Sequence, residues 1–167
     1  MFDSVLFLSR PEMLKLQPDH DTVVISLASP NNPANLEQDW RAILQLEFDD
    51  LCEDVLGVPV GSIPDAEEGH LVREFFGAIY RLPDTHHAQA IVGFLEAQEG
   101  GCSDFVRVIV HCDHGISRSA AVAQFVADRY GVPILNAEAA WQSRVAMPDT
   151  TRANPRLLRL LSARTCK

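Results

Sequence analysis

Lysine is nearly absent from this chain: only Lys15 and Lys167 are lysines, and the other basic residues are arginines. Basic charge as a whole is scarce. Fourteen Lys and Arg stand against 23 Asp and Glu, a formal charge of −9, so a nucleic-acid or anionic-membrane surface would be repelled rather than bound. Long apolar runs are missing too, and nothing approaches the ~18 residues of a membrane span. The N-terminal Met1-Phe2-Asp3-Ser4-Val5-Leu6-Phe7-Leu8 has no basic segment before a run too short for a secretory signal, which gives the expectation of a cytoplasmic protein. The four cysteines (Cys52, Cys102, Cys112 and Cys166) show no C-x-x-C spacing. In a reducing compartment that argues against a disulfide framework and against a zinc knuckle.

What is present is an ordinary globular composition, 47% apolar and 22% charged over 167 residues. It reads as one domain, residues 1–167, with one core. Three strand-length apolar runs come first, at Ser4–Ser9, Thr22–Ala28 and Ile43–Phe48, with the loop formers Ser29-Pro30-Asn31-Asn32-Pro33 between the second and third. A fourth, Phe105–Val110, is almost continuously β-branched, as in a strand covered on both faces of a parallel sheet. Helical spacing follows elsewhere. Ala88, Ile91, Val92 and Leu95 fall at i, i+3, i+4 and i+7, with Asp84 or Thr85 placed to cap the start. Leu71, Val72, Phe75, Phe76, Ile79 and Tyr80 suggest a further helix over Glu67–Arg81, inside an insertion at about 51–82. Ser119–Tyr130 runs up to Gly131 and Pro133, which are stop signals, and Asn136–Ala146 and Arg156–Ala163 complete the helices. The class is therefore α/β, with a central, mostly parallel sheet of about four strands flanked by helices.

The segment that carries chemistry joins the best strand to a helix: His111-Cys112-Asp113-His114-Gly115-Ile116-Ser117-Arg118-Ser119. A short strand-to-helix turn aims successive backbone N–H groups into one concavity, and the helix N-terminus adds positive potential. Gly115 supplies backbone freedom, and Arg118 offers a planar fork to two oxygens of an oxyanion. The same field would favour the Cys112 thiolate, an activated nucleophile beneath a bound phosphoryl group. Cys-x5-Arg alone is a weak signal: with four cysteines and Arg at about 7% of positions, about 0.3 chance occurrences are expected. His111, Gly115 and Ser119 at fixed offsets, with a strand before and a helix after, sharpen it.

At these residues the sequence resembles the cysteine-dependent protein tyrosine phosphatase superfamily, closest in wording to dual-specificity-like and small bacterial members. The resemblance is sharp over residues 105–131. It implies the phosphatase fold, no cofactor and no metal. It further implies a nucleophile at Cys112 that forms a phosphocysteine, an oxyanion clamp at Arg118, and a cradle of backbone N–H groups over Asp113, His114, Gly115, Ile116, Ser117 and Arg118. Ser119 would assist departure of the thiolate, and His111 would brace the loop. A metal reading of His111, Cys112, Asp113 and His114 is disfavoured, since adjacent His and Cys chelate one ion awkwardly.

The leaving group also needs a proton. The resemblance places the general acid on a separate loop, and three aspartates are candidates. Asp50 and Asp49 follow the third strand, in an acidic run where neighbouring carboxylates would raise one another's pKa. Asp84 lies 28 residues before Cys112, at a helix start. Asp50 is favoured, with Asp49 and Asp84 as alternatives. The cradle carries no Lys or Arg at its variable positions, which disfavours polyphosphorylated inositol lipids. The substrate expected is a phosphorylated protein or small phosphomonoester, with phosphotyrosine ahead of phosphoserine and phosphothreonine. The alternative is a phosphate-recognition module without turnover. Oligomeric state is not legible.

Overall fold

The computed structural model describes residues 1–65, 72–75, 78–99, 106–135 and 149–164. Five parallel strands form the central sheet: β1 (Phe2–Ser9), β2 (Thr22–Ala28), β3 (Ala42–Glu47), β6 (Val106–Cys112) and β7 (Ile134–Leu135). Their spatial order is β3-β2-β6-β1-β7, and every pairing is parallel. The fifth strand, absent from the sequence expectation, is a two-residue edge beside Val5 and Leu6, too short to leave a periodic signature. Strand β2 is buried along its whole length and β6 everywhere but Arg107, as their β-branched runs require.

Alternation along the strands sends side chains to two faces. Val5, Val23, Ile25, Val108 and Val110 pack on one face against helices α2 (Thr85–Glu99), α3 (Arg118–Tyr130) and α4 (Pro155–Ser162). Leu6, Leu8, Val24 and Ile109 point the other way. That face is covered by Met13 of the short helix α1 (Arg10–Met13) and by Ala34, Leu36 and Trp40 from the loop after β2. Helix α3 ends at Gly131, whose φ of 67° is the left-handed cap that the sequence signals. Among the described residues no helix is long and apolar enough to cross a membrane.

One expectation is overturned. The segment read as a helix over Glu67–Arg81 holds a two-stranded antiparallel ribbon, β4 (Val72–Phe75) and β5 (Ala78–Arg81), registered from Val72 opposite Arg81 to Phe75 opposite Ala78. An apolar set at 72, 75, 76, 79 and 80 fits helical spacing, but Val, Phe, Ile and Tyr are strand formers, and cross-strand pairing prevails. The helix expected at Asn136–Ala146 lies outside the described residues.

Because all five strands run the same way, the carboxyl ends of β1, β2, β3 and β6 share one edge of the sheet, where α/β folds gather their ligands. Each of these ends leads into a segment that meets the Cys112 loop.

Candidate active site

Strand β6 ends at Cys112 and helix α3 begins at Arg118, so residues 113–117 make the turn between them. Its tightness rests on Gly115. There φ is +68°, and a Cβ would lie 2.4 Å from the Ser9 nitrogen and 2.6 Å from the Leu8 carbonyl carbon. Only glycine lets the turn lie flat on the end of β1. The backbone N–H of Arg10 also reaches the Asp113 carbonyl at 3.4 Å.

The turn folds around the Cys112 sulfur, which is 1% exposed. The Gly115 N–H donates to Sγ at 3.3 Å, and the Ser119 hydroxyl lies 3.2 Å from it. Burial pushes the thiol pKa up. The Ser119 hydroxyl, the N–H groups of Ser119 and Ile116 and the charge of Arg118 outweigh burial and bring it below the usual thiol value. His111 is fully buried, and among the described residues both its ring nitrogens lack a hydrogen-bond partner. Burial, with the nearby charges of Arg10 and Arg118, pulls its pKa down to about 4 against an opposing pull from Asp113. It is therefore neutral at pH 7, and it sits in β6 beside Leu8 of β1 and Ser26 of β2.

Arg118 is buried, 2% exposed. Its Nη1 donates to the Phe48 carbonyl at 2.7 Å and its Nη2 to Asp113 Oδ2 at 2.6 Å, while its buried Nε–H has no partner among the described residues. A buried guanidinium with an unmet donor beside a thiolate-stabilising turn suits an oxyanion. His114 and Ile116 are exposed on the outer side of the turn.

The three candidate acids part company. Asp50 is exposed, and its Oδ1 accepts from the Ser117 hydroxyl at 2.7 Å and from Asn154 Nδ2 at 2.9 Å, which brings it to the turn. Asp49 faces the ribbon instead: its N–H donates to the Arg81 carbonyl at 2.6 Å, and its carboxylate accepts from the Arg81 N–H at 2.7 Å. Asp84 is buried and caps α2, accepting from the N–H groups of His86 and His87. Burial pushes its pKa up, but its bonds to His87 and His86 win and hold it at about 2, so it is ionised at neutral pH. The acidic run is thus dispersed. Glu53, expected to share its charge with these neighbours, is buried against Arg156 at 2.7 Å and Arg159 at 2.9 Å.

Sequence reasoning missed Asn154. It is 2% exposed and caps α4 through Oδ1 to the Leu157 N–H at 3.0 Å. Its Nδ2 holds Asp50, and its own N–H donates to the Ser117 carbonyl at 3.1 Å. One residue therefore joins the Asp50 segment, the turn and a helix. The signal was available, because Asn before Pro is the pattern of an N-cap followed by a first helical residue. Arg10, Ser29 and Phe48 were missed as well. Comparison of the chain with family models, with curated proteins and with solved structures returns no match.

Proposed function

We propose that this chain is a cysteine-dependent phosphomonoesterase with the tyrosine phosphatase fold, acting on phosphorylated protein or a small phosphomonoester without metal or cofactor. The observation that carries this reading is the Cys112 sulfur. It is buried, receives a backbone N–H and lies against a hydroxyl, its pKa is lowered, and it sits one turn from a guanidinium with an unmet buried donor.

The chemistry follows from where charge develops. Cys112 attacks phosphorus in line, a sulfur–phosphorus bond forms, and the ester P–O bond breaks. Arg118 and the N–H groups of residues 113–118 hold the equatorial oxygens as their charge shifts. Asp50, held at the lip of the turn by Ser117 and Asn154, serves as the acid that gives a proton to the leaving oxygen. Water then attacks the phosphocysteine, with Asp50 taking a proton back. The thiolate departs towards the Ser119 hydroxyl. Phosphotyrosine is the foremost substrate, because a phenolate asks less of the acid than a serine alkoxide does. A free thiol as nucleophile suits a reducing, cytoplasmic setting, and the −9 charge disfavours nucleic-acid and anionic-membrane partners.

Hydrolysis of p-nitrophenyl phosphate with EDTA present tests this directly. The wild type turns over and is inhibited by orthovanadate, whereas Cys112→Ser is inactive. Turnover that requires metal, or that survives the serine variant, rejects the mechanism. Vanadate binding without any turnover assigns the chain to phosphate recognition instead.

A further inference from the structure

Asp113 follows the proposed nucleophile, inside the turn that cradles the oxyanion, and it is a carboxylate. On charge alone it opposes an anionic ligand. Its surroundings give it a different role. Asp113 Oδ2 accepts from Arg118 Nη2 at 2.6 Å and from the Ser29 hydroxyl at 3.0 Å. Its Oδ1 pairs with Arg10 Nη2 at 2.5 Å. Arg10 is itself anchored, donating from Nη1 to Asn32 Oδ1 at 3.0 Å and from Nη2 to the Asn32 carbonyl at 2.6 Å. On the far side, Arg118 Nη1 donates to the Phe48 carbonyl at 2.7 Å.

A continuous relay thus runs Asn32–Arg10–Asp113–Arg118–Phe48. It joins the segments that follow β2, β1, β6 and β3 across the carboxyl edge of the sheet. We propose that Asp113 is a positioning residue that presets the Arg118 guanidinium for the oxyanion, with Arg10 and Ser29 holding the carboxylate in place. This rests on the phosphomonoesterase reading. The carboxylate and the Phe48 carbonyl each take one hydrogen bond from a terminal nitrogen of the fork. They leave Nε–H, buried and without a partner among the described residues, as an unspent donor. Donors fixed before the ligand arrives need not be reorganised when charge develops on it, which is why preset dipoles count for more than mobile ones.

The sign of one measurement separates this role from simple charge repulsion. If Asp113 merely opposes the anion, Asp113→Asn tightens vanadate. If it positions Arg118, the same change weakens vanadate and lowers kcat/KM for p-nitrophenyl phosphate, each by roughly 10–100-fold. Arg10→Met and Ser29→Ala touch neither Arg118 nor the sulfur. Arg10→Met should reproduce part of the loss, about 3–10-fold, and should add nothing further in the Asp113→Asn background. Thermal midpoints of all variants, taken with and without vanadate, show whether each is folded under assay conditions. Tighter or unchanged vanadate binding in a folded Asp113→Asn protein overturns the proposal, as does full additivity of Arg10→Met with it. A wild type that neither hydrolyses the ester nor binds vanadate overturns the phosphomonoesterase reading along with it. An active wild type with an indifferent Asp113 overturns this proposal alone.

Discussion

Arg156→Met is the most informative change outside the candidate active site. Arg156 is 1% exposed, yet it is charged. Its Nε donates to the Pro83 carbonyl at 2.8 Å and its Nη2 to the Pro64 carbonyl at 2.8 Å. Its Nη1 donates to Glu53 Oε1 at 2.7 Å and to the Ile63 carbonyl at 3.3 Å. One side chain therefore staples the connection after β3 onto α4, next to Asn154 and Asp50. Methionine fills much of the volume but donates nothing. Among the described residues Glu53, 2% exposed, then keeps one cationic partner, the partly exposed Arg159. Breaking a buried pair by removing one member costs about 3–5 kcal/mol, a large share of the roughly 5–15 kcal/mol that holds a domain together. For a chain of this length the thermal midpoint should fall by roughly 6–20 °C. The loss has a pH signature. Burial raises the Glu53 pKa, but its own backbone N–H and the two arginines outweigh burial and hold it below the ordinary 4.5. A carboxylate depressed in the folded state contributes stability above its unfolded pKa and loses it as pH falls through the folded value. Without Arg156 the burial that raises the Glu53 pKa is less opposed, Glu53 takes up its proton more readily in the folded chain, and the penalty shrinks as the pH falls towards and through about 4.5. Urea unfolding of both proteins at pH 7 and pH 4 reads this out. A penalty under about 1 kcal/mol, or one that grows as pH falls, refutes the reasoning.

Gly115→Ala should cost at least about 2 kcal/mol, since an L-residue at this positive φ costs about 1–2 kcal/mol before β1 is pushed aside. Denaturant midpoints measure it, vanadate affinity should fall with it, and a neutral substitution would mean that the turn does not press on Ser9. Ser119→Ala should raise the Cys112 thiol pKa, because one hydrogen bond to the thiolate is lost. The pH profile of iodoacetamide alkylation gives the value, and an unmoved or lowered pKa counts against the Ser119 role. Asp50→Asn should lower kcat by about 10²–10⁴ for aryl phosphates with poor leaving groups while keeping vanadate affinity. Asp84→Ala should instead cost about 1 kcal/mol of stability as a lost cap. A kcat loss confined to the Asp84 variant would reverse that assignment.

Much of the fold was legible because it is written in local pattern. The apolar runs at Thr22–Ala28 and Phe105–Val110 and the Gly131–Pro133 stop coincide with β2, β6 and the end of α3 to within two residues. The ribbon at 72–81 was not, because five apolar residues over nine positions satisfy both helical and strand periods. The Cys112 turn was readable from spacing alone, since its parts lie within nine residues. Its supports were not. Asp50 meets Asn154 across 104 residues, and Arg156 meets Glu53 across 103. No local pattern encodes such a pair. Asp113 was read for its backbone N–H and its charge but not as a support for Arg118, because the partners that hold its carboxylate, Arg10 and Ser29, come from other strand ends. The acidic run at 47–54 looked like one electrostatic unit. In the structure four of its five members are spent one by one, on the Asn31 and Arg81 backbone, on Ser117 and on Arg156.

The account stands on one covalent bond, between phosphorus and the Cys112 sulfur. Acid quenching of the wild type during turnover of p-nitrophenyl phosphate, followed by peptide mass spectrometry, looks for that bond. The predicted result is a phosphoryl adduct on the peptide carrying Cys112, building up within one turnover and absent from Cys112→Ser. Steady hydrolysis with no adduct there, or with the adduct on another residue, would contradict the account.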